Sequence, residues 1–240
     1  MRRAARASKD LRVLVTDVDG TITDPERRLH PAALGALRRL TDRGVPVILA
    51  TGNVLPIALA LHRSLGLVGP IVAENGGVVY QHTESGERIE HLADRRVALA
   101  AYRALRASGL PVHRLFTDRW RETEVGIDSS VPLAEVRRRI RGINAYAESS
   151  GFAIHLMERG AGKYFGVRRA VELLGLGLEH VVAIGDGDND ARLLRAVGFG
   201  VSFPSASPRA RRAADLVTRA DGAPGFLEAI RASGLSGRGP

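Results

Sequence analysis

Residues 12–24, Arg-Val-Leu-Val-Thr-Asp-Val-Asp-Gly-Thr-Ile-Thr-Asp, constrain the fold more than any other part of the chain. The short apolar run 13–15 predicts a strand buried on both faces of a parallel sheet. Two carboxylates, Asp17 and Asp19, close that strand, and Gly20 breaks it. Side chains at i and i+2 of an extended chain point the same way. Both acids are therefore expected to face one spot beyond the C-terminal end of a central strand, where open α/β sheets place their ligands. Like charges held together there repel, and a cation between them relieves the repulsion. An acidic turn after a strand is common, so the stretch gains its meaning from polar strand ends elsewhere in the chain.

Pro31 near the start of an apolar-faced segment and Gly44 after it predict a helix. Residues 45–50 form a second buried strand pattern that ends in Thr51-Gly52-Asn53, before a helix over 55–65. A hydroxyl and free N–H groups at a helix start suit an oxyanion, although a plain N-cap is the simpler role for Thr51. Residues 70–73 predict a third strand, and Glu74-Asn75-Gly76-Gly77 a tight turn into a strand leaving the sheet. From residue 83 to 158 the pattern changes to helix 94–108, strand 122–127, helix 133–142 and strand 152–156. Such an insert is too long for a loop and reads as a small domain whose antiparallel sheet has one open face. Gly160-Ala161-Gly162-Lys163 then opens a helix, and the apolar run from 181 closes in Asp186-Gly187-Asp188-Asn189-Asp190. Further helix and strand patterns continue to residue 233. The expected architecture is α/β: a doubly wound parallel sheet from residues 11–82 and 159–235, a small inserted α/β domain at 83–158, and a basic tail at 1–10.

Composition limits the function. No apolar run reaches the roughly 20 residues of a membrane span, and no secretory h-region follows the basic start. The absence of cysteine rules out disulfides and thiolate metal sites and suits a cytoplasmic setting. The net charge of +9 suits acidic ligands, but the arginines are scattered over helical segments with little aromatic interleaving, so nucleic acid is not the expected partner. Scarce Asn, Gln, Cys and Met fit a thermophile. Arginine occurs 33 times and lysine twice, at Lys9 and Lys163. A position that keeps lysine against that bias asks for a compact ammonium, a point charge for a phosphoryl oxygen.

Three strand ends thus carry complementary polar groups: Asp17 and Asp19; Thr51, Gly52 and Asn53; and Asp186 to Asp190. Carboxylate oxygens with waters are the preferred Mg²⁺ environment. An Asp so placed can attack phosphorus, and a second can serve as acid and base.

DVDGT at 17–21, TGN at 51–53, Lys163 and GDGDND at 185–190 resemble, in order and spacing, the four motifs of the haloacid dehalogenase superfamily. The insert and the preceding ENGG look like the α/β cap of its Cof-like branch. DVDGTITD and the SGFAIHL stretch at 150–156 are most similar to archaeal-type phosphoglycolate phosphatases. The resemblance implies a Mg²⁺-dependent phosphatase of a small phosphorylated metabolite, with 2-phosphoglycolate the leading substrate and sugar phosphates the alternative. It implies Asp17 as nucleophile and metal ligand, and Asp19 as acid and base, binding the metal through its carbonyl. Thr51, Gly52, Asn53 and Lys163 would hold the phosphoryl group. Asp186 and Asp190 would complete the metal set, with Asn189 near the phosphate and Asp188 on the surface. Tyr164 and Asn53 depart from the pattern, which has Gly and more often Arg there. His155, Arg114, Arg119 and Arg121 read most simply as a core histidine and surface arginines, and otherwise as contacts to a substrate carboxylate. A nucleic-acid-binding protein with a vestigial site is the reading from another class. A homodimer is compatible with the sequence, which does not fix the oligomeric state.

Overall fold

The computed structural model describes residues 10–150 and 153–235. Of the expected basic tail, all but Asp10 lies outside the described residues, as does Phe152 of the expected strand 152–156.

The chain opens with β1 (Val13–Thr16), α1 (Pro31–Asp42), β2 (Val47–Ala50), α2 (Leu55–Ser64), β3 (Ile71–Ala73), β4 (Val78–Thr83) and β5 (Gly86–His91). It continues with α3 (Arg95–Ala107), β6 (Val125–Asp128), α4 (Leu133–Arg139), β7 (Ala145–Ser149) and β8 (Ala153–Glu158). It then runs through α5 (Lys163–Leu173), β9 (Val181–Ile184), α6 (Ala191–Ala196), β10 (Phe199–Ser202), α7 (Pro208–Ala213), β11 (Leu216–Val217) and α8 (Gly222–Ser233).

Eight strands form one sheet in the order β11-β10-β9-β1-β2-β3-β4-β5. The first six run parallel, whereas β4 pairs antiparallel with β3 and with β5. The continuously apolar β1, β2 and β9 are wholly buried, as strands covered by helices on both faces must be. Leu37 and Leu40 of α1, Val167 and Val171 of α5, and Phe226 of α8 pack in the same core. Leaving water stabilises each such side chain by about 1.5–3 kcal/mol, and Leu37→Ala would cost roughly 2–5 kcal/mol. The chain ends α1 through Gly44, whose φ of 74° is the left-handed conformation glycine adopts freely.

The hairpin of β4 and β5 extends this sheet, so the sheet takes in residues 86–91, which the sequence pattern assigns to the insert. Beyond it, β6, β8 and β7 form a separate three-stranded antiparallel sheet. The pattern between 142 and 152 carries no sign of β7, because Tyr146 and Glu148 alternate with the small residues Ala145 and Ala147. One face of this sheet, through Ala145, Ala147, Ile154 and Leu156, packs on Ala98, Ala101 and Leu105 of α3 and Val136 of α4. Alternation turns Tyr146, Glu148, His155 and Met157 to the other face. That face is covered rather than open: His155 and Met157 are buried. Among the described residues, no helix is long and apolar enough to cross a membrane.

Candidate active site

Parallel pairing of β9, β1 and β2 brings their C-terminal ends to one edge of the sheet. Asp17, just past β1, is buried, and its Oδ1 accepts from the Val18 N–H at 2.7 Å. Gly20 turns the chain with φ 77°, and a Cβ there would lie 2.5 Å from Asp186 Oδ2. Only glycine therefore lets this turn close on the end of β9. The next residue, Thr21, donates to Asp186 Oδ1 at 2.7 Å, which fixes the first acid of the second acidic turn.

Asp17, Asp186 and Asp190 each offer a carboxylate oxygen within 4.8 Å of the others. Asp190 closes its own turn by accepting from the Gly187 N–H at 2.9 Å. Lys163 begins α5, is 1% exposed, and places Nζ 2.6 Å from Asp17 Oδ2 and 2.8 Å from Asp190 Oδ1. The helix reaches this position because glycines meet glycines: a Cβ on Gly76 would lie 2.2 Å from the Gly162 carbonyl oxygen.

Burial pushes the Asp17 carboxyl well above the usual carboxylate range, with Asp190 and Asp186 repelling and Lys163 opposing. Burial, then Asp190, push Asp186 up to about 6. Burial alone would lower the Lys163 ammonium, but Asp17 and Asp190 outweigh it and hold the group above the ordinary lysine range. Three carboxylates here face one buried ammonium, an excess of negative charge in a site of oxygen donors. That donor set fits a hard divalent cation such as Mg²⁺.

Asp19 sits apart from this cluster. Its carboxylate accepts from Asn53 Nδ2 at 2.8 Å and from Arg27 Nε at 3.0 Å, while its residue lines the same cavity as Asp17. Thr51 is buried at the end of β2, and its Oγ1 accepts from the Asn53 N–H at 3.0 Å. Asp17, Asp19, Gly52, Ser150, Asp186, Gly187 and Asn189 enclose a cavity of about 20 Å³. A larger cavity, about 280 Å³, abuts Lys163 and Asn189 and carries Glu148, Arg159, Arg192 and Arg209 on its walls.

The haloacid dehalogenase-like hydrolase family matches residues 14–120 and 127–230. The chain belongs to this family. Among its relatives, a protein named phosphoglycolate phosphatase from Methanothermobacter thermautotrophicus is 38% identical over 92% of this chain and 98% of its own. A protein of the same name from Methanopyrus kandleri is 39% identical over 91% of this chain and 95% of its own. A crystal structure from Thermoplasma acidophilum superposes with a TM-score of 0.84 at 26% identity, covering 94% of this chain and 99% of that one.

In this haloacid dehalogenase-like hydrolase the acidic strand ends and Lys163 come together, and the structure adds Glu124, which no motif marked. Asn75 donates to Glu124 Oε2 at 3.0 Å and accepts from Asn189 Nδ2 at 3.0 Å. Glu124, ahead of β6, also pairs with Arg121 and accepts from His155 Nδ1 at 2.8 Å. Burial would raise the Glu124 carboxyl, but His155 and Arg121 outweigh it and hold the group below its ordinary range. Arg121 is not a surface arginine: it is 2% exposed and donates to the Gly52 carbonyl at 3.0 Å. Arg114 and Arg119 do lie on the surface, Arg114 beside Asp118 and Arg119 stacked on Phe116 at 4.2 Å. His155 is buried, and Asp188 is exposed on the wall of the larger cavity. Tyr164, where the family resemblance leads one to expect Gly, packs its ring 4.4 Å from the Arg192 guanidinium. Arg121, His155 and the ENGG turn, where Glu74 and Asn75 take φ of 49° and 51°, were the sequence signs of the Glu124 network. Asn tolerates that left-handed conformation better than most residues do.

Proposed function

We propose that this enzyme is a phosphatase that hydrolyses a small phosphomonoester, 2-phosphoglycolate foremost, through an aspartyl-phosphate on Asp17. The carrying observation is the placement of a buried Asp17 between Lys163 and two further acids, at a strand end beside Thr51 and Gly52. The relatives named phosphoglycolate phosphatase support the substrate class.

In this mechanism a carboxylate oxygen of Asp17 attacks phosphorus while the ester P–O bond breaks. The departing glycolate oxygen takes its proton from Asp19. Water then attacks the phosphorus of the aspartyl-phosphate and gives a proton to Asp19. The P–O bond to Asp17 breaks, phosphate leaves, and the carboxylate is restored. Asn53 and Arg27 hold the Asp19 carboxyl for both transfers. Thr51, the backbone N–H groups of Gly52 and Asn53, and Lys163 bind the phosphoryl oxygens. Asp17, the Asp19 carbonyl, Asp186 and Asp190 would hold Mg²⁺, which would neutralise charge on the phosphoryl oxygens.

The three-stranded sheet with α3 and α4 acts as a cap over a core built on the eight-stranded sheet. A cavity of about 20 Å³ has room for roughly one water, not a phosphomonoester. The cap therefore lifts to admit substrate and closes to exclude bulk water. The larger cavity beside Lys163 favours a second reading, a sugar-phosphate substrate with a bulkier leaving group.

The test is phosphate release from 2-phosphoglycolate, sugar phosphates, nucleotides and an aryl phosphate, with and without Mg²⁺, beside Asp17→Asn. Metal-dependent turnover that is lost in the variant supports the mechanism, and a preference within the panel decides the substrate. No turnover of any compound by folded protein refutes the phosphatase reading.

A further inference from the structure

We propose that Ser150 is the specificity-determining residue of the cap, presented to the substrate's carboxylate by a hydrogen-bonded chain through His155 to Glu124. The inference rests on the 2-phosphoglycolate reading and adds to it the group that recognises the leaving-group end. Ser150, just after β7 of the covering sheet, lines the small cavity together with Asp17, Asp19 and Asn189. Its Oγ lies 2.9 Å from His155 Nε2, and His155 Nδ1 lies 2.8 Å from Glu124 Oε1.

The Glu124 end of this chain has a definite polarity. The Glu124 carboxyl is held below its ordinary range, so it accepts, and Nδ1 carries the proton it receives. His155 and Glu124 are each 1% exposed, so the ring is fixed behind Ser150 and not free to meet the substrate itself. Arg121 shares the Glu124 Oε1 with His155, Asn75 donates to Oε2, and the two tie Glu124 to Gly52 and Asn189 of the core. At 2.9 Å Ser150 Oγ and His155 Nε2 share one hydrogen; where the ring supplies it, the hydroxyl hydrogen is left to donate into the cavity. The cavity thereby gains a hydroxyl donor among Asp17, Asp19, Asp186 and Asn189. A substrate that carries a methyl group there leaves this donor unmatched.

Ser150 thus touches the substrate, while His155 and Glu124 are positioning residues. The test measures kcat and KM for 2-phosphoglycolate and for ethyl phosphate, which replaces the carboxylate by methyl. Loss of a hydrogen bond to a charged group is worth about 1.5–3 kcal/mol, so Ser150→Ala should lower kcat/KM for 2-phosphoglycolate by roughly 10- to 150-fold, mostly through KM. Turnover of ethyl phosphate should change by less than about twofold, since the phosphoryl machinery is untouched. Ser150→Thr, which keeps the hydroxyl, should retain the preference, and His155→Gln should lose it with kcat on ethyl phosphate preserved. Equal losses on both substrates, or unchanged preference in Ser150→Ala, would overturn the inference alone. A wild-type enzyme that does not distinguish the two substrates would overturn the 2-phosphoglycolate reading along with it.

Discussion

The Asn75 amide donates to Glu124 at 3.0 Å and accepts from Asn189 at the same distance, so one side chain joins the covering sheet to the acidic turn after β9. All three residues are buried, so removing the amide takes a buried hydrogen-bond partner from both Glu124 and Asn189. Asn75 has φ 51°, a conformation that glycine adopts without strain. Asn75→Gly therefore reports the side-chain bonds, whereas Asn75→Ala adds backbone strain. We expect Asn75→Gly to cost about 2–4 kcal/mol, or roughly 5–15 °C in Tm, and Asn75→Ala to cost more. Calorimetry of both variants checks this; equal Tm values for the two would show that the backbone conformation is not what Asn75 supplies.

Stability should depend on Glu124 in acid. Its folded carboxyl lies below the ordinary value of 4.5, so protons bind the unfolded chain more readily over that window. The contribution is complete above pH 4.5 and is lost as pH falls through the lower folded value. Glu124→Gln removes the titration, so the Tm gap between wild type and variant should be widest near pH 7 and narrow as pH falls below 4.5. A gap independent of pH would contradict the assigned charge.

Much of this site was legible because its parts lie at strand ends. Asp17, Thr51 and Asp186 each follow a short apolar run, and a parallel sheet brings such ends together whatever the intervening chain does. Lys163 stands out against a bias to arginine that solvent-exposed positions follow. The cap is harder to read. The strand β7 alternates alanines with Tyr146 and Glu148, too weak a pattern to mark a strand, and its polar residues carry no sign that their face is covered. Glu124 and Arg121 look like surface charges, because a sequence does not reveal that two charges will be buried against each other. The strand after ENGG reads as leaving the sheet, yet β4 pairs antiparallel with β3 and β5 extends the sheet further.

Lys163→Arg should be a damaging change. The ammonium is buried and meets two carboxylates at 2.6 and 2.8 Å, and a planar guanidinium needs more room and another geometry. Loss of one preorganised donor to a developing charge typically lowers kcat by about 10²–10³-fold, and we expect a loss of that size here. Steady-state kinetics with a circular dichroism check of folding measures it. Activity within threefold of wild type would show that only the charge at Lys163 matters.

Mg²⁺ should stabilise the folded protein apart from any turnover. Asp17, Asp186 and Asp190 are held together by the fold with their charge only partly offset by Lys163, so an ion that binds them favours the native state. At a hundred times its Kd a ligand of the native state adds about 2.7 kcal/mol, which for a chain of this size raises Tm by roughly 5–10 °C. The Asp186 carboxyl is pushed up to about 6 by burial and by Asp190, so the ion must compete with protons there. The rise in Tm should therefore be larger at pH 8 than at pH 5.5. Asp186→Asn removes a ligand and part of the repulsion together. Without metal the variant should match or exceed the wild-type Tm, and with Mg²⁺ it should gain little. A wild-type Tm unmoved by Mg²⁺ at pH 8 would show that these carboxylates do not form a metal site.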